Sequence, residues 1–567
     1  MEQILINRGI EQNNIQHYLN TTDEDILNPL LLNNMRAGAE MLVAQIIKNE
    51  PLMVQVDSDC DGYTSAALLI NYINSLFPTY AQNNILYRIH NGKEHGLISE
   101  TIPEGITLAI APDSSSNDYE VHKELFNRGI KTLVLDHHEA ETESAFACVI
   151  NNQLCDYPTK SLSGVGIVYK FCSYIDSLLG INNADNFLDL VALGMIADVM
   201  DLRDFETHHL IKKGLKNIQN HFLAAMVEKQ SYSLGNELTP IGIAFYIAPY
   251  VNATVRTGNP EEKELLFQAM LDFKSDELIP STKRGCKGEM ERIVEQACRN
   301  CTNIKNKQTK IRDENLQIID NLIHENNLLD NKILAIRLSK EYQTDKNLTG
   351  LIANQLMSKY QRPVLLLNQT EDEEHRIMWE GSGRNYDKAD FENFKDFLNN
   401  SGFVEYGEGH QSAFGCGIYD YKFNEFLAYV NNALKDLKFE PCYKVDFIFQ
   451  GNRFDGNNVI EIAQHKDLWG QAIDEPLIVI ENLNVHKDNI SLMSADKNPT
   501  LKIQLNNGVS LIKFKFSKEE FETLKREEGS IVMNIVGKCA INEWNGRITP
   551  QLLIEDYEVI GAQKYYF

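Results

Sequence analysis

The sequence predicts an α/β protein: a first domain on a mostly parallel sheet, a long helical connector, a second α/β region and a strand-rich C-terminal part. Three observations carry this. Short β-type runs alternate with helical patterns between about residues 51 and 200, and again between about 332 and 437, as in sheets covered by helices on both faces. Glu289–Ile319 is polar, charged and free of Pro and Gly, as a long connecting helix would be. Beyond about 438, strand candidates are separated by turns.

Residues 1–50 read as a mostly helical arm. Leu52–Val56 is a strand, followed by a helix from Thr64 to about Leu76. Ile106–Ala111, Thr132–Leu135 and Cys148–Ile150 are further strands, and Ser163–Leu179 and Asn186–Met200 are helices with apolar residues at helical spacing. In a sheet of this kind ligands bind at the carboxyl ends of the strands. Residues about 205–330 look largely helical. Strands at Lys332–Leu338 and Pro363–Leu367 then flank a helix at Leu348–Tyr360. Leu511–Phe516, Ser530–Val536 and Arg547–Ile554 are the late strands, with Asn545-Gly546 a strong hairpin signal. The expected divisions are an arm (1–50), a core (51–210), its helical remainder with the connector (211–331), a second α/β domain (332–437) and a β domain (438–567).

The 567 residues suffice for several domains. With 43% hydrophobic and 24% charged residues, the chain has enough apolar material to fold, which excludes global disorder. The densest apolar run, Leu190–Ala197, has eight residues, too few for a membrane span. Met1–Ile10 is polar and mixed, so no secretory signal is read there and the ten cysteines are expected as reduced thiols in a cytoplasm. Lys and Arg number 54 against 80 Asp and Glu, a net charge of −26. That argues against a charge-coated nucleic-acid binder but leaves room for one basic channel, and metal-binding acids would add to the negative count.

The sharpest signal is Asp57-Ser58-Asp59-Cys60-Asp61-Gly62, directly after the strand Leu52–Val56. Three alternating carboxylates point to one side if the chain stays extended. Like charges so close repel, and a divalent cation resolves the repulsion; oxygen ligands suit Mg²⁺ or Mn²⁺. The bland alternative is a solvated acidic turn. A calcium loop needs Glu six residues after the Gly, where the chain has Leu68. Asp113 follows the strand Ile106–Ala111, and Asp136-His137-His138 follow the strand Thr132–Leu135. Asp198 is an acid embedded in an apolar helix, where the alternative is a helix cap. His208-His209, by contrast, read as a solvated helix face. In a parallel sheet the three strand ends share one edge, so these groups can converge on two divalent ions roughly 3.5–4 Å apart, the arrangement that hydrolyses a phosphoester. The reading requires His137 close to Asp113.

In order and approximate spacing, Asp57–Gly62, Asp113, Asp136-His137-His138 and Asp198 resemble the four motifs of the DHH phosphoesterase superfamily. Within it the chain is most similar to the RecJ single-strand-specific exonucleases. Ser163-Gly164-Val165-Gly166 is similar to the family's segment after the DHH strand. Ala248-Pro249-Tyr250-Val251-Asn252-Ala253-Thr254-Val255-Arg256 resembles its APxxNAxGR stretch, with Val255 where Gly is usual. Leu348–Ala353, Arg362–Val364, Gly381–Arg384 and Gly407-Glu408-Gly409-His410, where GGH is usual, resemble the DHHA1 substrate domain. Asn542–Arg547 and Gln551-Leu552 resemble the OB-fold domain, and Trp469-Gly470-Gln471 to Pro476 faintly echo the PFGxGNPxP stretch before it.

The resemblance implies a parallel-sheet DHH core, a long helical connector, an α/β DHHA1 domain and a C-terminal β-barrel of the OB-fold. It implies two Mn²⁺ or Mg²⁺ ions held by Asp59, Asp61, Asp113, His137 and Asp198. The catalytic residues would be His138, facing the scissile phosphate, with Asp57 and Asp136 as near ligands or as groups that orient them and fix a His tautomer. Gln55 stands where some members carry His, so the first ion would be held more loosely or through water. Substrate binding falls to Asn252, Arg256, Ser382, Arg384, Gly409 and His410, with Arg384 and Ser382 as an anion clamp on a Gly-rich loop. A plain turn at Gly381–Arg384 and a surface ion pair at Arg256 are the structural alternatives. Cys298 and Cys301 have no second pair nearby, so no zinc site is expected. Trp544 is more often a core or loop anchor than a stacking platform.

The implied activity is metal-dependent 5′→3′ hydrolysis of single-stranded DNA to 5′-mononucleotides in recombination and repair, with a single-strand-binding protein or helicase as further partner and no membrane. Two alternatives stand beside it: a phosphodiesterase on short RNA or cyclic dinucleotides, and a non-catalytic RecJ-like scaffold. The β domain at 438–567 favours long strands over the first, and the full set of acids and His over the second.

Overall fold

Every residue of Leu52–Val56 (β1) is buried, and its side chains alternate between two cores: Leu52, Val54 and Val56 on one face, Met53 on the other. The helix after it, Cys60–Leu76 (α1), starts four residues before the Thr64 expected from the sequence. Asp59 caps it by accepting a hydrogen bond from Gly62 N (2.9 Å), the usual role of Asp at a helix start. The strands Ile85–Ile89 (β2), Leu108–Pro112 (β3), Lys131–Asp136 (β4) and Cys148–Asn151 (β5) complete a sheet of order β2-β1-β3-β4-β5, parallel throughout. Its faces are closed by helices that include Gly164–Leu179 (α2) and the almost wholly buried Leu188–Ala197 (α3). β2, which the sequence did not disclose, is a half-exposed edge strand. The computed structural model describes all residues except 92–93, 287, 387–388, 390, 392, 440–441, 452, 495–497, 526–528, 545–546 and 564–567, and the side chains of 544, 547 and 562–563.

The chain divides into two compact units, 1–302 with 445–567, and 303–444. The first holds the parallel sheet, a helical stretch that includes Ala248–Thr257 (α4), and the last strands. The connector is a single helix, Ile293–Glu325 (α5). In the second unit, Leu334–Leu338 (β6), Val364–Glu371 (β7), Ile377–Arg384 (β8), Tyr406–Gly409 (β9) and Ala413–Tyr419 (β10) form a sheet of order β9-β10-β8-β7-β6. The helix Thr349–Tyr360 (α6) covers one face and Asp420–Ala433 (α7) helps cover the other. In the first unit again, Phe447–Gln450 (β11), Leu477–His486 (β12), Ile490–Met493 (β13), Thr500–Gln504 (β14), Ser510–Lys513 (β15), Ser530–Trp544 (β16) and Arg547–Gln563 (β17) make a seven-stranded sheet of order β11-β12-β16-β17-β15-β14-β13. β16 and β17 pair antiparallel from Ser530↔Gln563 to Trp544↔Arg547; Asn545, Gly546 and the Trp544 side chain lie outside the described residues.

The β domain is fastened to the rest of its unit. Arg8 donates from both guanidinium ends to Asp446 (2.9 Å each), whose carboxylate is 1% exposed. Leu202 N donates to Gln471 O (3.2 Å), and buried Trp469 belongs to the same apolar core as Leu202. The N-terminal arm also corrects one expectation. His208 and His209 are buried, not solvated, because the arm lies over them: His208 stacks on Tyr18 (4.3 Å) and His209 Nε2 contacts Asp23 (3.0 Å). Among the described residues no helix is long and apolar enough to cross a membrane. All ten cysteines are unpaired, and Cys298 and Cys301 are buried within α5.

Candidate active site

Because α1 begins at Cys60, Asp57, Asp59 and Asp61 do not share one side as an extended chain would; each is sent to a different set of neighbours. Asp61, 1% exposed, meets the N-terminus of α2. Ser163 Oγ (2.9 Å), Gly164 N (2.6 Å) and Val165 N (3.3 Å) all donate to it, so the helix end stabilises its charge. Two glycines leave room for this. A β-carbon on Gly164 would overlap Asp113, and one on Gly194 would overlap the Asp61 carboxylate.

Asp113 directly follows β3 with φ +63, a left-handed backbone that Asp tolerates better than most residues. Its side chain is fully buried, and Oδ1 has no hydrogen-bond partner. His137 follows β4, and its Nε2 is likewise buried without a partner. The two atoms are 3.2 Å apart, and the same Nε2 lies 3.4 Å from Asp198 Oδ2 and 4.0 Å from Asp61 Oδ2. Asp198 is not inside a helix. It caps the end of α3, where Val199 N (3.2 Å) and Met200 N (3.0 Å) donate to Ile196 O and Met195 O in a Schellman turn. The turn forces Val199 to φ +52, costly for a β-branched residue.

The electrostatics match a site short of positive charge. Burial, then Asp61 and Asp59, push Asp198 up to about 8. Burial, then the same two acids, hold Asp113 far above the usual carboxylate range. Asp59 is raised by burial and Asp61, while burial lowers His137. Two overlapping sets of ligand atoms each gather within 4.8 Å: Asp113, Asp136, His137 and His138, and Asp61, His137 and Asp198. Unpartnered buried oxygen and nitrogen atoms, crowded carboxylates and an imidazole are the donor set a hard or borderline divalent cation takes. Asp59 stands outside both sets but near enough to raise Asp113 and Asp198.

Asp136 has a different environment. It accepts hydrogen bonds from His137 N (2.7 Å), His138 N (3.2 Å), His138 Nδ1 (2.7 Å) and Ser116 N (3.0 Å). That bond to Asp136 raises the His138 pKa to about 9 and leaves Nε2 as the atom its half-exposed ring offers outward. Asp57 is also occupied, by His95 Nδ1 (2.9 Å), Gly96 N (3.4 Å) and His90 Nε2 at 3.3 Å. Burial would raise Asp57, but the two histidines outweigh it and hold the pKa at about 2. His90 and His95 were not foreseen from the sequence. They follow the unforeseen strand β2, and His-Asn-Gly-Lys-Glu-His offers no strand-end acid to draw attention.

The remaining candidates fall in both units. On α4, Asn252 Oδ1 accepts from Cys60 N (3.2 Å), so its carbonyl supports the α1 N-terminus, and Arg256 is exposed and close enough to lower Asp59. In the second unit Arg384 pairs in register with Ala413, which exchanges backbone hydrogen bonds with His410, so both side chains belong to one end of the sheet. Gly409 has φ +119. Ser382 Oγ lies 2.9 Å from Thr349 Oγ1 at the start of α6, and a side chain at Gly350 would collide with the Arg384 guanidinium. Thr349 and Gly350 were not among the sequence candidates for binding.

Comparison with known proteins agrees with this architecture. Residues 51–195 match the family model of the DHH family N-terminal domain, and 445–556 that of the RecJ OB domain. The chain is 38% identical over 564 residues, 99% of its own length and 96% of the relative's, to YorK, a SPbeta prophage-derived protein of Bacillus subtilis (strain 168) provisionally named a single-strand DNA-specific exonuclease. The chain belongs to the RecJ family. It is 25% identical over 581 residues to the single-stranded-DNA-specific exonuclease RecJ of Bacillus subtilis (strain 168), covering 99% of this chain and 68% of that one. The fold matches the crystal structure of RecJ in complex with Mn²⁺ from Thermus thermophilus with TM-score 0.69 and 18% identity, over 95% of this chain and 74% of that one.

Proposed function

We propose that this RecJ-family protein is a metal-dependent exonuclease that degrades single-stranded DNA from the 5′ end to 5′-mononucleotides, in recombination and repair. The observation that carries the reading is the meeting of His137 Nε2 with Asp113 and Asp198 in a buried cluster whose central atoms have no protein partners. Asp61, Asp113, His137 and Asp198, with Asp59 alongside, would hold two Mn²⁺ or Mg²⁺ ions. Such ions, when bound, polarise the phosphoryl oxygens and make water acidic enough to attack at neutral pH. Asp136 anchors His138 so that Nε2 faces the phosphate. Hydrolysis adds the water to phosphorus and breaks the P–O3′ bond, so the released nucleotide keeps its 5′-phosphate and gains a 3′-hydroxyl.

The residues at 332–437 serve as the DHHA1 substrate-binding domain in this reading. Arg384, Ser382 and Thr349 clamp an anionic group of the strand there, with His410 beside them, and Arg256 guides the strand near the cluster. The net charge of −26 makes binding local, and the few phosphate contacts predict a modest salt slope, about 0.7 per neutralised phosphate on a log–log plot. A cytoplasmic site of action, with a single-strand-binding protein or helicase as partner, completes the proposal. The test is digestion of 5′- and 3′-end-labelled DNA and RNA oligonucleotides with Mn²⁺, Mg²⁺ or EDTA. Release of labelled mononucleotide first from the 5′-labelled DNA, abolished by EDTA, is expected. Preference for short RNA, or release from the 3′ end, overturns the assignment.

A further inference from the structure

Two aspartate–histidine pairs stand side by side at the mouth of the metal cluster. In one, buried Asp136 accepts from His138 Nδ1 at 2.7 Å; in the other, buried Asp57 accepts from His95 Nδ1 at 2.9 Å. Both carboxylates are nearly inaccessible, with side chains 1% and 5% exposed, while the two rings are 48% and 55% exposed. The rings meet edge to face, with centroids 5.8 Å apart at 79°. With Nδ1 committed inward in each, Nε2 is the atom each ring can present to a ligand. His138 in turn lies 4.5 Å from His137, ring to ring, so the pair borders the cluster directly.

We propose that His95 is a second phosphate-contacting catalytic residue, whose Nε2 and that of His138 hold the two non-bridging oxygens of the scissile phosphodiester. The separation suits this: each ring needs to span only one hydrogen bond, about 2.8 Å, to reach one oxygen of a phosphate seated between them. A purely structural ion pair would gain little from leaving its imidazole half in solvent. The proposal rests on the phosphodiesterase reading above.

The test uses the full chain, wild type and the variants His95→Ala, His95→Phe and His95→Ala/His138→Ala, on a 5′-phosphorylated DNA strand carrying either oxygen or sulfur at one non-bridging position of the scissile phosphate. His95→Ala and His95→Phe should both lower kcat by about 10²-fold with KM nearly unchanged. The rate penalty for sulfur seen with wild type should shrink in both. The double variant should lose less than the product of the single losses, as expected for two groups acting on one phosphate. In the single variants Mn²⁺ affinity should stay near the wild-type value, and Tm should fall only modestly, because buried Asp57 keeps His90 and Gly96 N as neighbours. A His95→Ala enzyme within about threefold of wild-type kcat, an undiminished sulfur penalty, or restoration of activity in His95→Phe overturns the proposal while leaving the exonuclease reading intact. A wild type that cuts no strand overturns both.

Discussion

The Nε2 atom of His137 and the Oδ1 atom of Asp113 lie 3.2 Å apart, and neither has a hydrogen-bond partner although both are buried. Polar atoms left so in a core cost free energy, roughly 1–3 kcal/mol each, which points to a ligand rather than to packing.

Asp113→Asn should therefore remove hydrolysis by about 10²-fold or more while leaving the fold intact. Asn accepts the left-handed backbone at this position. Loss of one carboxylate from the crowded cluster should leave metal-free stability unchanged or raise it. Activity in Mn²⁺ and thermal denaturation in EDTA check both halves, and equal turnover by mutant and wild type would refute the assignment.

Stability without metal should fall as pH rises. Asp198 is pushed up to about 8, and Asp113 and Asp59 are also raised, so each binds its proton more tightly folded than unfolded. Their contribution is complete below the ordinary carboxylate range, near pH 4, and is lost as pH climbs towards about 8. Asp57 acts oppositely, contributing above about pH 4 and failing only as pH drops towards about 2. Calorimetry in EDTA from about pH 5 to 8 should show a falling Tm, and saturating Mn²⁺ should flatten the slope.

Gly194→Ala places a methyl group against the Asp61 carboxylate, 2.5 Å from Thr64 Oγ1 and 2.6 Å from Val165 Cγ1. Moving Asp61 should weaken Mn²⁺ binding about 10- to 100-fold, with a loss of about 1–3 kcal/mol in stability from overpacking. Isothermal titration with Mn²⁺ reads the first and urea denaturation the second.

Val199→Gly should do the reverse for stability. Glycine accepts φ +52 without strain, so the Schellman turn should gain about 1 kcal/mol despite the entropy of the unfolded chain. A lower urea midpoint would contradict the strain argument.

Arg384→Ala should weaken binding of a 5′-phosphorylated strand without changing Mn²⁺ affinity, because the guanidinium belongs to the second unit and the cluster to the first. Fluorescence anisotropy in EDTA measures the binding. Retention of wild-type affinity would remove Arg384 from the clamp.

The acids at the ends of β1, β3 and β4 could be read from the sequence because a fully buried parallel strand is a continuous apolar run and its carboxyl end is where polarity returns. β2 was not legible: as an edge strand it carries Tyr87 and Arg88 among its apolar residues, and with it the sequence hid His90 and His95. Asp198 stands out in the sequence as an acid in an apolar run, but its place at the helix end does not, because nothing in Met195-Ile196-Ala197-Asp198-Val199 signals that Val199 turns left-handed. The burial of His208 and His209 is not visible in their local sequence, because it depends on the arm, whose contacts are separated by 190 and 186 residues.

The bond between Arg8 and Asp446 joins residues 438 positions apart. During translation, at roughly 5–20 residues per second, Arg8 leaves the ribosome about 20–90 s before its partner exists. The surface that will receive the β domain therefore stays open to other proteins throughout elongation. Premature termination within the second unit would yield a polypeptide with all five expected metal-binding residues, Asp59 to Asp198, but with Leu202 and Arg8 facing solvent, marking it for chaperones and proteases. The first unit can reach its final form only after residues 445–567 have also been made.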